Sequence, residues 1–294
     1  MTNHRSFRKT TLSWSTWLGW QLESNWTEPW LFLIYVLLKP LSSSLLLVCM
    51  YYAARSATPG RVPEEFLPYL YIGNACYMLV SAVMFGMSYA VITDREHYRM
   101  LKYIYISPGH LQTYFVGRAM SGAGQALLGG LLNLGIGAAI FPEVRKAFML
   151  HSIEWGWLLL HTCTGIVLLL SCGLILSAAV LNMARQGMFL SEGISGILYL
   201  LCGVVFPVAV LPSFLQYMSL ILPPTYWLEG MRRSLIGPQN SEMMNSPLQQ
   251  LTQFQLALAV LISTLILSLF AVWFFRVSER RAWHSGRLEE TTGA

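Results

Sequence analysis

Charge is scarce in this chain of 294 residues: 11% of it is charged against 55% hydrophobic, and the mean hydropathy is +0.51. Water cannot accommodate that much apolar surface, so the composition excludes a soluble globular protein and describes an integral membrane protein. Strand-type alternation is missing from the apolar blocks, which sets aside an outer-membrane barrel. Acidic residues are missing from the middles of those blocks. All fourteen fall in loops, tails or block ends: Glu64 and Glu65 before the second block, Asp94 at its end, Glu143 after the third, Glu154 before the fourth and Glu192 near the start of the fifth. A proton-coupled carrier places a titrating side chain deep in a span, so the energy source is expected to lie outside this chain.

Other absences narrow the chemistry. None of Cys49, Cys76, Cys163, Cys172 and Cys202 forms a Cys-x-x-Cys pair, and all sit in apolar blocks, where they read as buried small hydrophobes. The nearest thing to a ligand cluster, His161-Thr162-Cys163, offers one His and one Cys. That is too few for a metal site, and a satisfied core histidine is the expectation. No Gly-x-x-x-x-Gly-Lys-Ser/Thr occurs, and the only Lys-Ser/Thr pair, Lys9-Thr10, has no glycine before it. No compact apolar core with a small-residue cleavage site opens the chain, so no signal peptide is expected. No cofactor or metal site is expected in this chain.

Six long apolar blocks are present, each near the roughly 20 residues that cross a hydrocarbon core of about 30 Å. They run over 30–54, 66–93, 111–141, 155–183, 188–211 and 254–277. The expected fold is therefore all-α and integral to the membrane, a single transmembrane domain of six spans. Segment 1–29 forms a tail and an interfacial helix, and 278–294 a second tail. Lys and Arg accumulate on the cytoplasmic side. With the N-terminus inside, twelve basic residues fall in the cytoplasm and six outside, Lys39 being set aside. Both termini are thus expected to be cytoplasmic, and the dispersed net charge of +5 is a topology signal more than a nucleic-acid footprint.

Half of the ten tryptophans lie in the first thirty residues. Trp14, Trp17, Leu18, Leu22 and Trp26 fall near helical spacing on one side, so Ser13 to Glu28 reads as a helix lying in the interface, or as a plain aromatic anchor. Lys39-Pro40 interrupts the first block, and the span is expected to begin close to Pro40 with Lys39 snorkelling toward the cytoplasmic face. In the third block Ala119, Ala123, Ala126, Gly130, Asn133 and Gly137 recur at steps of three and four and build one small face for close helix contact.

Two segments are unusual. From Asp94 to Pro108 a charged, tyrosine-rich stretch stands where a short turn would suffice. On one helix, Arg95, Arg99, Lys102 and Ile106 would line a stripe beside Tyr98, Leu101 and Tyr105, a pattern suited to docking in the groove of a soluble partner. From Gly203 onward the chain is too apolar for a water-exposed loop, yet Pro207, Pro212, Pro223 and Pro224 break any continuous span. Two short helices dipping into the outer leaflet over 212–236, broken at Pro223-Pro224 and with Glu229 in reach of Arg233, would satisfy both conditions. Gly193-Ile194-Ser195-Gly196 matches the Gly-x-Ser-Gly of rhomboid-type intramembrane serine proteases. The only histidine after Ser195 is His284, in the tail, so the general base that such an enzyme needs is missing from the later spans.

Six spans, an amphipathic N-terminal helix, a charged segment ending in Ser107-Pro108, and the succession Gly203-x-x-Phe206-Pro207, Leu211-Pro212-x-x-Leu215 and Pro223-x-Thr225-Tyr226 together resemble the membrane subunit of a type-2 ATP-binding-cassette (ABC) exporter of the drug, lipid and polysaccharide group. The resemblance covers nearly the whole chain. It implies a permease of the bacterial cytoplasmic membrane that works as a homo- or heterodimer with a second permease chain. A separate P-loop ATPase subunit would bind ATP and Mg. It further implies a coupling helix at 94–108, with Asp94, Arg95, Glu96, Tyr98, Arg99, Leu101, Lys102, Ser107 and Pro108 meeting that ATPase, and an outer gate of Phe206, Pro207, Pro212, Pro223, Pro224 and Tyr226. Many members follow the charged pair with Gly-Thr where this chain has Tyr98-Arg99, and Pro108 lies one residue further on, which suggests a dedicated ATPase. The apolar spans suit an amphipathic substrate: a drug, a lipid or a lipid-linked glycan. A non-transporting membrane assembly factor and an intramembrane protease acting through Ser195 remain the alternatives.

Overall fold

The computed structural model describes the whole chain except residues 1, 25–28, 151–152, 184–185, 238–246 and 287–294. Among the described residues every regular element is helical. Helix α1 (Thr2–Glu23) precedes α2 (Pro29–Ala57). The second long unit is one helical run built from α3 (Phe66–Leu79), a π-helical turn (Val80–Phe85) and α4 (Gly86–Glu96). A short α5 (Leu101–Ile106) leads into α6 (Leu111–Ile140) and α7 (Pro142–Leu150). Then come α8 (Trp155–Leu181), α9 (Gly187–Leu201), a 3₁₀ turn (Val208–Val210), α10 (Ser213–Ile221), α11 (Pro223–Ile236) and α12 (Gln253–His284). Five of these helical units are long and apolar enough to cross a membrane: Trp30–Ala57, Phe66–Glu96, Leu111–Ile140, Trp155–Leu181 and Gln253–His284.

The α3–α4 unit is the centre of the bundle. Leu67, Leu70, Ile72, Val83, Met87 and Val91 are fully buried along it, against α6 on one side and α8 on the other. The small face of α6 explains how the helices come so close. Ala119, Ala123, Ala126, Gly130, Asn133 and Gly137 are all buried; Gly130 faces the Ala75 carbonyl, and a side chain at Gly137 would enter the Tyr71 ring. Tyr71 hydroxyl in turn donates to Asn133 Oδ1 at 2.9 Å. On the far side α8 and α12 run along each other, joined by Ser171 and Ser268 hydroxyls 2.9 Å apart and by Asn182 Nδ2 donating to the Ser278 carbonyl at 3.3 Å. Helix α12 opens on a capping box in which Thr252 Oγ1 accepts from the Gln255 backbone and Gln255 Oε1 accepts from the Thr252 backbone.

The structure corrects several expectations. Of the cysteines only Cys76 and Cys202 are buried; Cys49 and Cys163 are exposed. Helix α1 begins at Thr2, not Ser13, and its second small-residue contact was not foreseen: Ser15 and Gly19 lie against Gly117 and Ser121 of α6. Trp14, Trp17 and Leu22 point outward from that seam, and Trp26 lies outside the described residues. Pro40 does not interrupt α2, which passes through it as one helix, as a helix packed among others in a membrane can. The block expected as one span over 188–211 is helical only to Leu201. Gly203 adopts φ 74° and Pro207 follows, so the helix stops after 15 residues.

Gly117→Leu places a branched side chain where Ser15 and the Leu12 carbonyl already sit. The expected outcome is a loss of about 1–3 kcal/mol, read as a lower unfolding midpoint in detergent and faster tryptic cleavage at Lys9. An unchanged midpoint and cleavage rate would show that α1 is not held by this contact.

Candidate functional site

At one end of the bundle the predicted coupling segment takes a shape its sequence pattern did not foretell. Asp94, Arg95 and Glu96 finish α4, and the chain then breaks at Arg99, which adopts φ 50°. Helix α5 restarts at Leu101, so the single stripe from Arg95 to Ile106 does not form. Asp94 and Arg95 are buried rather than presented to a partner. Asp94 accepts from Arg118 Nη1 at 2.6 Å and from Tyr114 hydroxyl at 3.0 Å, which ties the end of α4 to α6. Arg95 reaches the last turn of α8, with Nη1 3.5 Å from the Val180 carbonyl, and lies 3.6 Å from Glu96. A buried charge needs a counter-charge and spare hydrogen bonds, and these partners supply both.

The exposed remainder is aromatic. Tyr98, Arg99, Tyr103, Ile106, Ser107 and Pro108 face outward, Lys102 is half-buried and Leu101 is buried under them. Tyr105 stacks on Trp283 of α12 with ring centroids 4.6 Å apart and planes 17° from parallel. Trp283 belongs to no motif in the sequence. Only the meeting of α5 with the last turn of α12 reveals it as the wall of this surface.

In the middle of the bundle a cavity of about 720 Å³ opens between α2, the α3–α4 unit, α6 and α9. A hydrogen-bonded relay shares Ser43, Asn74 and Tyr199 with its lining. Asn133 Nδ2 donates to Ser44, Asn74 Nδ2 donates to Ser43 and Ser44, and Tyr199 hydroxyl donates to Asn74 Oδ1, each at 2.9–3.1 Å. Tyr77 packs edge-on to Tyr199 and donates to the Ser195 carbonyl at 2.7 Å, with the Ser195 hydroxyl 3.0 Å away. The serine of the Gly-x-Ser-Gly match is thus partnered by a tyrosine. None of these residues stood out in the sequence except Asn133 and Ser195, because scattered Ser, Asn and Tyr carry no spacing signature.

At the other end α10 and α11 meet at Leu222-Pro223. Of the predicted gate residues, Phe206 and Pro212 are exposed, Pro223 and Tyr226 half-buried, and Pro207 and Pro224 buried. Tyr226 hydroxyl donates to the Leu220 carbonyl at 2.9 Å, pinning α11 back onto α10. Glu229 accepts from Arg233 at 3.0 Å, and Arg233 also donates to the Leu248 carbonyl, which holds the chain leading to α12. Arg232 is buried over the Tyr69 ring and bonds the Gly203 carbonyl just past the end of α9, crossing α3 where Gly73 leaves room for it. Nearby, Arg55 at the end of α2 donates to Glu64 at 2.9 Å. That hydrogen bond, followed by the charges of Arg55 and Lys146, holds the exposed Glu64 carboxyl below its ordinary pKa. His161 departs from the expected satisfied histidine. It is fully buried but neither ring nitrogen has a hydrogen-bond partner among the described residues; packing against Trp157 and Gly230 holds the ring instead.

Removing one partner of the Asp94–Arg118 pair strands a buried charge. Arg118→Met is expected to cost about 3–5 kcal/mol, and Asp94→Leu with Arg118→Met to recover most of it. The readout is the thermal midpoint of the detergent-purified chain; equal midpoints for the single and double variants would contradict the pairing.

Residues 11–236 match the family model described as ABC-2 type transporter. No curated protein matches the chain.

Proposed function

The chain belongs to the ABC-2 type transporter family, and from that premise we propose that it is one half of a dimeric exporter, driven through the surface around α5. Family membership makes it a permease component of an ABC transporter, a multi-pass membrane protein that works with an ATP-binding partner. In the finer reading α9 is a sixth crossing, and α10 with α11 forms a hairpin dipping into the outer leaflet. Both termini face the cytoplasm of a bacterial cell, a second permease chain completes the pore, and ATP with Mg binds on the partner. The cargo is amphipathic. The balance of basic residues supports this orientation, since Arg99, Lys102 and Arg280 cluster at the α5 end.

One observation carries the reading. A solvent-facing patch of Tyr98, Tyr103 and Ile106 stands on a base that cannot shift without moving the spans. Asp94 and Arg95 tie that base to α6 and α8, while Trp283 ties it to α12. A soluble subunit that grips the patch therefore pulls on three crossings at once. Apolar and aromatic side chains supply the grip, and Arg99 and Lys102 set its register.

Tyr103→Ala with Ile106→Ala removes two outward anchors and nothing from the core. The expected result is a loss of at least about tenfold in affinity for the cognate ATPase, measured by titrating purified subunits in mild detergent, with the midpoint of unfolding unchanged. Glu96→Ala with Arg99→Ala is expected to lower transport-coupled ATP hydrolysis while leaving the permease inserted. Full affinity and full coupling in both variants would remove this segment from the mechanism.

A further inference from the structure

Among the described residues no charged side chain lines the cavity between α2, α6 and α9. Its floor is the π-helical turn Val80–Phe85, which contributes Ser81 and Ala82 to the lining. Such a turn widens the helix, weakens its hydrogen bonding and recurs at binding sites.

Most polar groups around this space are engaged with one another. Asn74 gives both amide hydrogens to serines and accepts from Tyr199, and Tyr77 is bonded to Ser195. Three groups remain unengaged among the described residues: Gln125 Nε2, which is buried and unpartnered, and the hydroxyls of Ser81 and Tyr89. A buried donor without a partner costs about 1–3 kcal/mol, which an incoming acceptor recovers. An anionic headgroup would be desolvated there with no cationic partner among the described residues, at a cost of several kcal/mol, and a quaternary ammonium, although the Glu192 carboxylate acts on Tyr89, cannot accept from the Gln125 amide. Beside these groups Val36, Met78 and Ala82 offer an apolar wall, and a volume of about 720 Å³ lies within the usual range for small-molecule sites.

We propose that this cavity binds the uncharged, hydroxyl-bearing headgroup of a sugar-like ligand, with Gln125 Nε2 donating to a headgroup oxygen and the Ser81 and Tyr89 hydroxyls completing the contact. The proposal rests on the permease reading, for it makes the cavity a subsite for the transported compound. An aromatic and amide wall with hydroxyls suits a sugar ring and disfavours a phosphate or an ammonium.

The test uses the full chain in lipid nanodiscs, without ATPase or nucleotide, titrated below micelle-forming concentrations. Radiolabelled octyl glucoside is the probe; octyl phosphate and octyltrimethylammonium are charged probes of equal chain length. Glucoside binding is expected to saturate and to be at least about tenfold tighter than either charged probe, to weaken about tenfold in Gln125→Leu, and to weaken severalfold in Tyr89→Phe, which keeps the ring. Competition by free glucose at the same concentration identifies a free sugar as the source of the headgroup; no competition identifies a lipid-anchored one. Equal binding of all three probes, or unchanged glucoside binding in both variants, overturns the proposal. If Gln125→Leu does not fold, Tyr89→Phe decides alone. Because no ATPase is in the assay, failure here leaves the permease reading standing, and failure of subunit association leaves a positive binding result intact.

Discussion

A carboxylate at the edge of a hydrocarbon layer needs a counter-charge within reach, and Asp94 finds it in Arg118 with Tyr114 completing the contact. That requirement fixes the register between the end of the central helix and the start of α6. Once the register is set, Ala119, Ala123, Ala126 and Gly130 fall opposite α3 and the π-turn, where their small size allows the close approach that lipid solvation would not otherwise reward. The remaining helices pack onto this pair. Helix α1 uses the other small edge of α6, and α8 carries α11 and α12 on the side of α4 away from it.

The same accounting explains why polar residues inside the bundle come as closed sets. Tyr71, Asn133, Ser44, Asn74 and Tyr199 pass hydrogen bonds across four helices. Each would be costly alone in an apolar medium and is inexpensive in the set. The unengaged amide of Gln125 and the unpartnered ring of His161 are among the exceptions. Elsewhere, exposed apolar side chains such as Leu131, Leu269 and Ile221 need no such partners, since lipid is their solvent.

How much of this was legible in the sequence depends on what kind of signal each part leaves. Long apolar blocks declare themselves by composition, and the α6 face declares itself by small residues at helical spacing. The break between α10 and α11 was readable because proline forbids a continuous helix, and the Glu229–Arg233 pair because i, i+4 neighbours touch on any helix. Segment 94–108 was readable as an unusual place and not as a shape. Charge and tyrosine content marked it, but nothing local announces that Arg99 takes a positive φ or that Asp94 turns inward to Arg118, a partner 24 residues away. Likewise Trp283 and the cavity lining are products of tertiary contact, which periodicity does not encode. Pro40 differs for the opposite reason: the rule that proline ends a helix is drawn from water, and a helix within a membrane bundle can run through it.

The shortness of α9 has a further consequence for the surroundings of the molecule. Fifteen residues rise about 22 Å, some 8 Å less than a typical hydrocarbon core. In the proposed arrangement with α9 as a sixth crossing, the bilayer along that flank meets a hydrophobic mismatch, which local thinning of the lipid relieves together with the apolar flank of α10, where Phe214, Tyr217 and Ile221 stand exposed. In that arrangement an acyl chain passing the α9 flank has less depth to cross than one beside the longer helices.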